Sequence, residues 1–268
     1  MNRMRQCSLI VAMSVMAWPL YAADGVLIVE KTTSGSSVQS SQIQIEPTRM
    51  RVESISPAGE KQVFVFDGTK QVLWMISPDK KSYSEMTKAD VDRMGTQMAG
   101  AMAMMQEQMK NMPPEQRAQM EAMMRGRGMP GLVAAASKTE YRKVDTDKVG
   151  KWTCDKYEGY QNNQKVSEVC TVNPQALGFS AADFGVTRQL ADFFRQLMPQ
   201  NADNLFAMGK PEDQGFSGIP VKRVAMAGPR QSVTELTDVS RQSFSDSLFA
   251  LPPGVQKEAA PFGGRGRQ

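Results

Sequence analysis

Twelve methionines fall between Met86 and Met129, and their spacing is the strongest chemical signal in this 268-residue chain. At about 100° per residue, Met94, Met98, Met102, Met105, Met109 and Met112 lie within about 80° of arc on one helix. Met120, Met123 and Met124 add a patch on a following helix, while Asp92, Arg93, Glu107 and Lys110 take the far side of the first. Such a stripe can do three things. It can pack as core, the commonest fate of an apolar helical face. Being unbranched and polarisable, methionine can instead mould around varied apolar ligands such as acyl chains or an unfolded peptide. Its thioethers also suit Cu(I), for which Met94, Met98, Met102 and Met105 form the candidate set.

The chain contains no histidine, which removes Ser-His-Asp and Cys-His nucleophiles, HExxH zinc sites and most histidine-ligated metals as usually built. Carboxylate pairs could still cleave glycosides. Asp145, Asp147, Glu158 and Glu168 are scattered among lysines, however, as on a solvated face. No GxxxxGK[ST] phosphate loop is present, and Gly126-Arg127-Gly128 and the terminal GGRGR read as linkers. The expectation is a non-enzymatic protein without a cofactor.

Residues 1–22 have the order of a cleavable signal peptide: Arg3 and Arg5, an apolar run from Leu9 to Trp18, then Pro19-Leu20-Tyr21-Ala22. The run is shorter than the about 20 residues a membrane span requires, so the mature protein is expected to be periplasmic, without a stable membrane anchor. Removing residues 1–22 lowers the formal charge from +4 to +2, which is no footprint for nucleic acid. Cys154 and Cys170 then remain, an even count in an exported chain. They flank the turn at Asn162-Asn163, and a hairpin turning there places them opposite each other. A disulfide closing that loop contributes about 3 kcal/mol in the chain-entropy model.

The elements that must position these groups are short and β-rich. Val26–Thr32, Val38–Ile45, Arg49–Ile55, Lys61–Asp67, Gln71–Ile76 and Ser82–Met86 read as strands of an antiparallel meander, broken at Gly35, Pro47, Pro57-Ala58-Gly59, Asp67-Gly68 and Pro78-Asp79. Thr87, with Asp90 three residues on, marks a helix start. Pro113-Pro114 ends that helix, and a second runs from about Pro114 to Met124, making residues 87–126 an inserted helical hairpin. Strands resume at Lys138–Asp145 and in the Cys154–Cys170 hairpin. A third helical stretch between Ser180 and Met198 gathers Val186, Leu190, Phe193, Phe194 and Leu197 on one face. Ile219–Ala227 and Gln231–Arg241 form the last β pair, and residues 259–268 have the composition of a disordered tail. Residues 23–258 are expected to form one α+β domain.

The order of segments carries a resemblance. Arg49-Met50-Arg51-Val52, DGTKQVLWMISPDKKSYSEM at 67–86, GKWTCDKYEGY, GIPVKRV, TELTDVS and SLFALPPGV together resemble an uncharacterised family of exported bacterial proteins related to the LolA/LolB lipoprotein-carrier superfamily. The resemblance implies a curved antiparallel sheet, an incomplete barrel, with helices on its concave side and an apolar cavity between. In the carriers that cavity takes lipoprotein acyl chains. The methionine hairpin departs from the carriers, and no carrier ligand residue transfers to this chain. The expected function is binding of a hydrophobic ligand, a lipid, acyl chain or apolar peptide, with Met94, Met98, Met102, Met105, Met109, Met112, Met120, Met123 and Met124 lining or lidding the cavity. The alternatives are Cu(I) buffering by the methionines, or a structural envelope protein whose hairpin docks on another chain.

Overall fold

Turn residues divide the chain into strands as the sequence leads one to expect. In the computed structural model, which describes residues 25–110, 112–113, 115–116, 139–197, 215–227 and 230–259, the left-handed turn positions are taken by Gly35, Gly59, Gln71, Lys81, Gly150 and the pair Asn162-Asn163. Two successive positive-φ residues make the primed hairpin turn that matches strand twist, and asparagine tolerates it. Six strands come first: β1 (Gly25–Ser34), β2 (Ser37–Ile45), β3 (Arg49–Ile55), β4 (Lys61–Asp67), β5 (Val72–Ser77) and β6 (Ser82–Thr87). Helix α1 (Lys88–Lys110) follows, then β7 (Glu140–Val149), β8 (Trp152–Gln161), β9 (Gln164–Val172), α2 (Gly185–Phe194), β10 (Ile219–Ala227), β11 (Arg230–Gln242) and the two-residue β12 (Gln256–Lys257).

All twelve strands join one curved, unclosed sheet in the order β12-β6-β5-β4-β3-β2-β1-β11-β10-β9-β8-β7. Neighbours are antiparallel except β12, which lies parallel to β6. Two meanders, β1 to β6 and β7 to β11, are thus joined at their first and last strands by the β1–β11 ladder, which runs from Gly25↔Gln242 to Ser34↔Ser232. The expected strand Lys138–Asp145 extends to Val149, because the tight turn at Gly150 lies beyond Asp145. The expected signal peptide at 1–22, most of the expected second helix and the tail from 260 to 268 lie outside the described residues.

Alternation along the strands supplies two apolar layers. On β4, Phe66 enters the main core while its neighbour Val65 faces the other way. The main core joins Val26, Ile28, Ile43, Ile45, Cys154, Cys170, Val172 and Val221 to Val186, Leu190 and Phe193 of α2, and the Phe66 and Phe193 rings meet edge to face at 5.4 Å. Each such side chain contributes about 1.5–3 kcal/mol on burial. A capping box seats α2: the Ser180 backbone and hydroxyl donate to Asp183, while Arg241 of β11 donates to Asp183 and to the Gly178 carbonyl.

The second layer is covered by the chain after β11. Phe244, Leu248, Phe249 and Leu251 pack over Val63, Val65, Trp74, Ile76 and Tyr83. Two arginines of β3 hold this strap: Arg49 pairs with Glu46 and Asp246 and stacks 4.6 Å from the Phe249 ring centroid, and Arg51 donates to the Leu248 carbonyl. At its end β12 docks on β6, and Lys257 pairs with Glu85, which also accepts from the Trp74 indole. The strap carries the chain from the middle of the sheet to its edge.

Candidate functional site

Helix α1 begins where the sequence marks it. The Thr87 backbone and hydroxyl both donate to Asp90, whose own N–H returns to the Thr87 hydroxyl. Lys88–Asp92 and Arg93–Asp90 ion pairs follow within the first turns. Val91 is wholly buried in the main core. Gly95 is buried because α1 crosses the end of α2 closely: a β-carbon there would stand 2.9 Å from the Gln196 carbonyl oxygen. Beyond this point the helix leaves the core. Residues 96–101 are all exposed, and on the expected stripe Met94 and Met105 are half-buried while Met98 keeps 48% of its surface. Met104, off the stripe, keeps 70%.

The stripe therefore divides. Met94 borders the packed end, Met98 stands in solvent, and Met105 and Met112 are half-buried further on. Packing as core, the commonest fate of an apolar helical face, does not describe Met98. The side chains of Met102 and Met109, and all of Met120, Met123 and Met124, lie outside the described residues, so the hairpin's second helix and its expected place over the concave side do as well. A helix with this periodicity has an apolar side whatever covers it. Periodicity identifies the side and is silent about the neighbour.

Cys154 and Cys170 form a disulfide, with α-carbons 5.4 Å apart and both residues buried in the main core. The direct opposition expected from their midpoint at Asn162 is not what the register produces. The two-residue turn sets Gln161 against Gln164, and an irregularity at Gly159/Tyr160 shifts the ladder so that Cys170 faces Lys156. The bond therefore runs diagonally, two positions along the strand. No sequence count of the turn reveals a bulge.

The acids near this hairpin are engaged. Glu158 and Glu168 are cross-strand partners, a like-charge pair that is tolerable because Lys165 bridges both and Lys156 pairs with Glu168. The Lys165 hydrogen bond leads in holding each carboxyl below its ordinary value. A general acid at neutral pH needs the opposite shift. Asp145 and Asp147 are exposed on the edge strand β7. Among the described residues no three His, Cys, Asp or Glu side chains gather as a metal site, and no helix is long and apolar enough to cross a membrane.

Two charged residues that sequence reasoning passed over behave differently. Glu30 of β1 is half-buried, and burial raises its pKa, partly offset by the charge of Arg223. Arg223 of β10 is exposed, yet loss of solvation lowers its pKa against the attraction of Glu30 and Tyr141. Neighbouring protein atoms thus take away part of the guanidinium's hydration while its surface stays open to solvent. The signal was present in β1, where Val26, Ile28 and Glu30 occupy alternate positions and the third breaks an apolar file.

A family model described as a domain of unknown function (DUF4412) matches residues 85–255. No protein with a curated description matches. Among solved structures, the chain is similar to an uncharacterized conserved protein from Thermus thermophilus, at 9% identity and a TM-score of 0.45 over 89% of this chain and 91% of that one. It is also similar to a LolA superfamily protein from Nitrosomonas europaea, at 9% identity and a TM-score of 0.30 over 84% of this chain and 89% of that one.

Proposed function

Because the chain belongs to the DUF4412 family, whose description assigns no activity, its role has to come from its own residues, and we infer that it is a non-enzymatic binding protein of the periplasm that takes a hydrophobic ligand. The observation that carries this reading is the emergence of α1 from the core at Gly95, which leaves Met98 and Met104 in solvent on a helix rooted in the main core. An exposed methionine surface loses hydration cost when an apolar partner covers it, at about 25 cal/mol per Å² before entropic losses. Unbranched side chains let that surface adapt to a lipid, an acyl chain or an apolar peptide. The methionine hairpin would form one wall of the ligand site and the curved sheet the other. The site residues proposed are Met94, Met98, Met102, Met105, Met109 and Met112 of α1, with Met120, Met123 and Met124.

Extraction of the purified protein and mass spectrometry of the extract test the reading directly. Co-purifying lipid, or saturable binding of a fluorescent fatty acid that weakens when Met98 and Met105 are replaced by aspartate, is the expected result. A protein that purifies empty and ignores acyl probes would overturn it.

A further inference from the structure

We propose that Arg223 receives the anionic head group of an amphiphilic ligand, a carboxylate or phosphate carried on an acyl chain; the inference rests on the hydrophobic-ligand reading above and names the polar end of that ligand. The register builds the place. Thr32 pairs with Thr234, Thr234 with Arg223, Arg223 with Val169 and Val169 with Tyr157, a row across β1, β11, β10, β9 and β8. Cross-strand partners share a face, and the Thr32 and Thr234 hydroxyls confirm it by bonding each other at 2.9 Å.

Along β1 the same side runs from Val26 and Ile28 of the main core to Glu30 and Thr32. At the other end of the row, Val169 and Tyr157 join Phe216 and Tyr141, whose rings stand 4.9 Å apart between Tyr141 and Phe216 and 6.0 Å between Tyr157 and Phe216. Arg223 thus lies between a dry core and an aromatic cluster, where an acyl chain and its head group would part company.

Its bonding state sets Arg223 apart. Arg49, Arg51 and Arg241 are all held by hydrogen bonds or ion pairs. Arg223 makes neither with another described residue, and Glu30 acts on it only through charge. A guanidinium carries five donors in a planar fork that fits two oxygens of one carboxylate or phosphate. Partly stripped of water, it gains from such a ligand what it has lost in solvation. A neutral head group supplies no such charge.

The full mature chain is titrated with palmitate, hexadecyl phosphate and hexadecanol, which share one chain length, and separately with inorganic phosphate. The expected result is that the two anions bind about 10- to 100-fold more tightly than the alcohol. Arg223→Met, which keeps the aliphatic stem, should erase that preference and leave hexadecanol affinity unchanged. If this variant does not fold, Arg223→Lys decides by losing part of the preference. Equal affinity of wild type for anions and alcohol overturns the head-group assignment and leaves the hydrophobic reading standing. Failure of all three chains to bind overturns both. Binding of inorganic phosphate alone, dependent on Arg223, overturns the amphiphile in favour of a free anion.

Discussion

Replacing Phe249 by alanine should detach the strap that covers the second apolar layer. Phe249 is 4% exposed and sits on Val63, Val65 and Ile76, so truncation removes a fully buried aromatic, a loss of about 3–5 kcal/mol. Two further contacts go with it: the edge-to-face partner Phe244 at 6.0 Å, in a class worth about 0.5–1.5 kcal/mol, and the Arg49 guanidinium over the ring, worth about 0.5–2 kcal/mol depending on desolvation. These contributions overlap, so the expectation stays near about 4 kcal/mol. At urea slopes of about 1–3 kcal/mol per molar, the midpoint should fall by more than about 1 M. Of the three tryptophans, Trp18 falls in the expected leader, Trp74 in this layer and Trp152 in the main core, so fluorescence of residues 23–268 in a Trp152→Phe background reports the strap. A red shift of Trp74 emission before the global transition would show the strap lifting as a unit. A loss below about 1 kcal/mol with Trp74 emission unchanged would refute the structural role given to the strap.

Reduction of the Cys154–Cys170 bond, whose partners are 16 residues apart, should cost about 3 kcal/mol and lower the melting temperature by about 6–12 °C; a melting curve indifferent to reductant after denaturation and refolding would refute it. Gly95→Val should force α1 away from the Gln196 carbonyl and destabilise by about 1–3 kcal/mol, measured by urea unfolding, while Gly100→Ala, where a β-carbon meets nothing within 4 Å, should be neutral or stabilising by up to about 1 kcal/mol. Hydrogen bonds, from Lys257 and Trp74 to Glu85 and from Thr87 to Asp90, lead in depressing these carboxyls below their ordinary 4.5 and 3.8. Their stabilisation is complete above those values and is lost as pH falls through the lower native ones, so the urea midpoint should drop between about pH 5 and pH 3, less steeply in Glu85→Gln. An equal slope in both proteins would remove Glu85 from the account.

Local signals in the sequence reached far into this fold. Turn residues at Gly35, Pro78-Asp79 and Asn162-Asn163, the box at Thr87 and Asp90, and the apolar file Val186, Leu190, Phe193 all act between near neighbours, where residue type decides geometry. What escaped depends on distant partners. The diagonal disulfide follows from a shift at Gly159/Tyr160 that no residue type announces. The strap is held by an apolar layer far away in the chain, and nothing within Phe244, Leu248, Phe249 and Leu251 names Val63, Val65 and Ile76 as the residues they cover. Arg223 reads as one more surface charge until its strand is set between Thr234 and Val169. The methionine stripe shows the limit most plainly, since spacing assigned Met94 and Met98 to one side of α1 while only packing shows that the first borders the core and the second stands in water.

The pairing of β1 with β11 has a kinetic meaning. Thr32 and Thr234 meet across 202 residues of chain, so the central ladder of the sheet cannot form until nearly the whole polypeptide is present. Before then β1 can pair only with β2, and its other edge lies open to any strand it meets. Folding of such non-local sheets is slow, on the order of milliseconds to seconds. On the export route proposed above, with the amino-terminus threaded first through a membrane, that delay is protective: neither side of the channel would hold a finished sheet until the last strands had crossed.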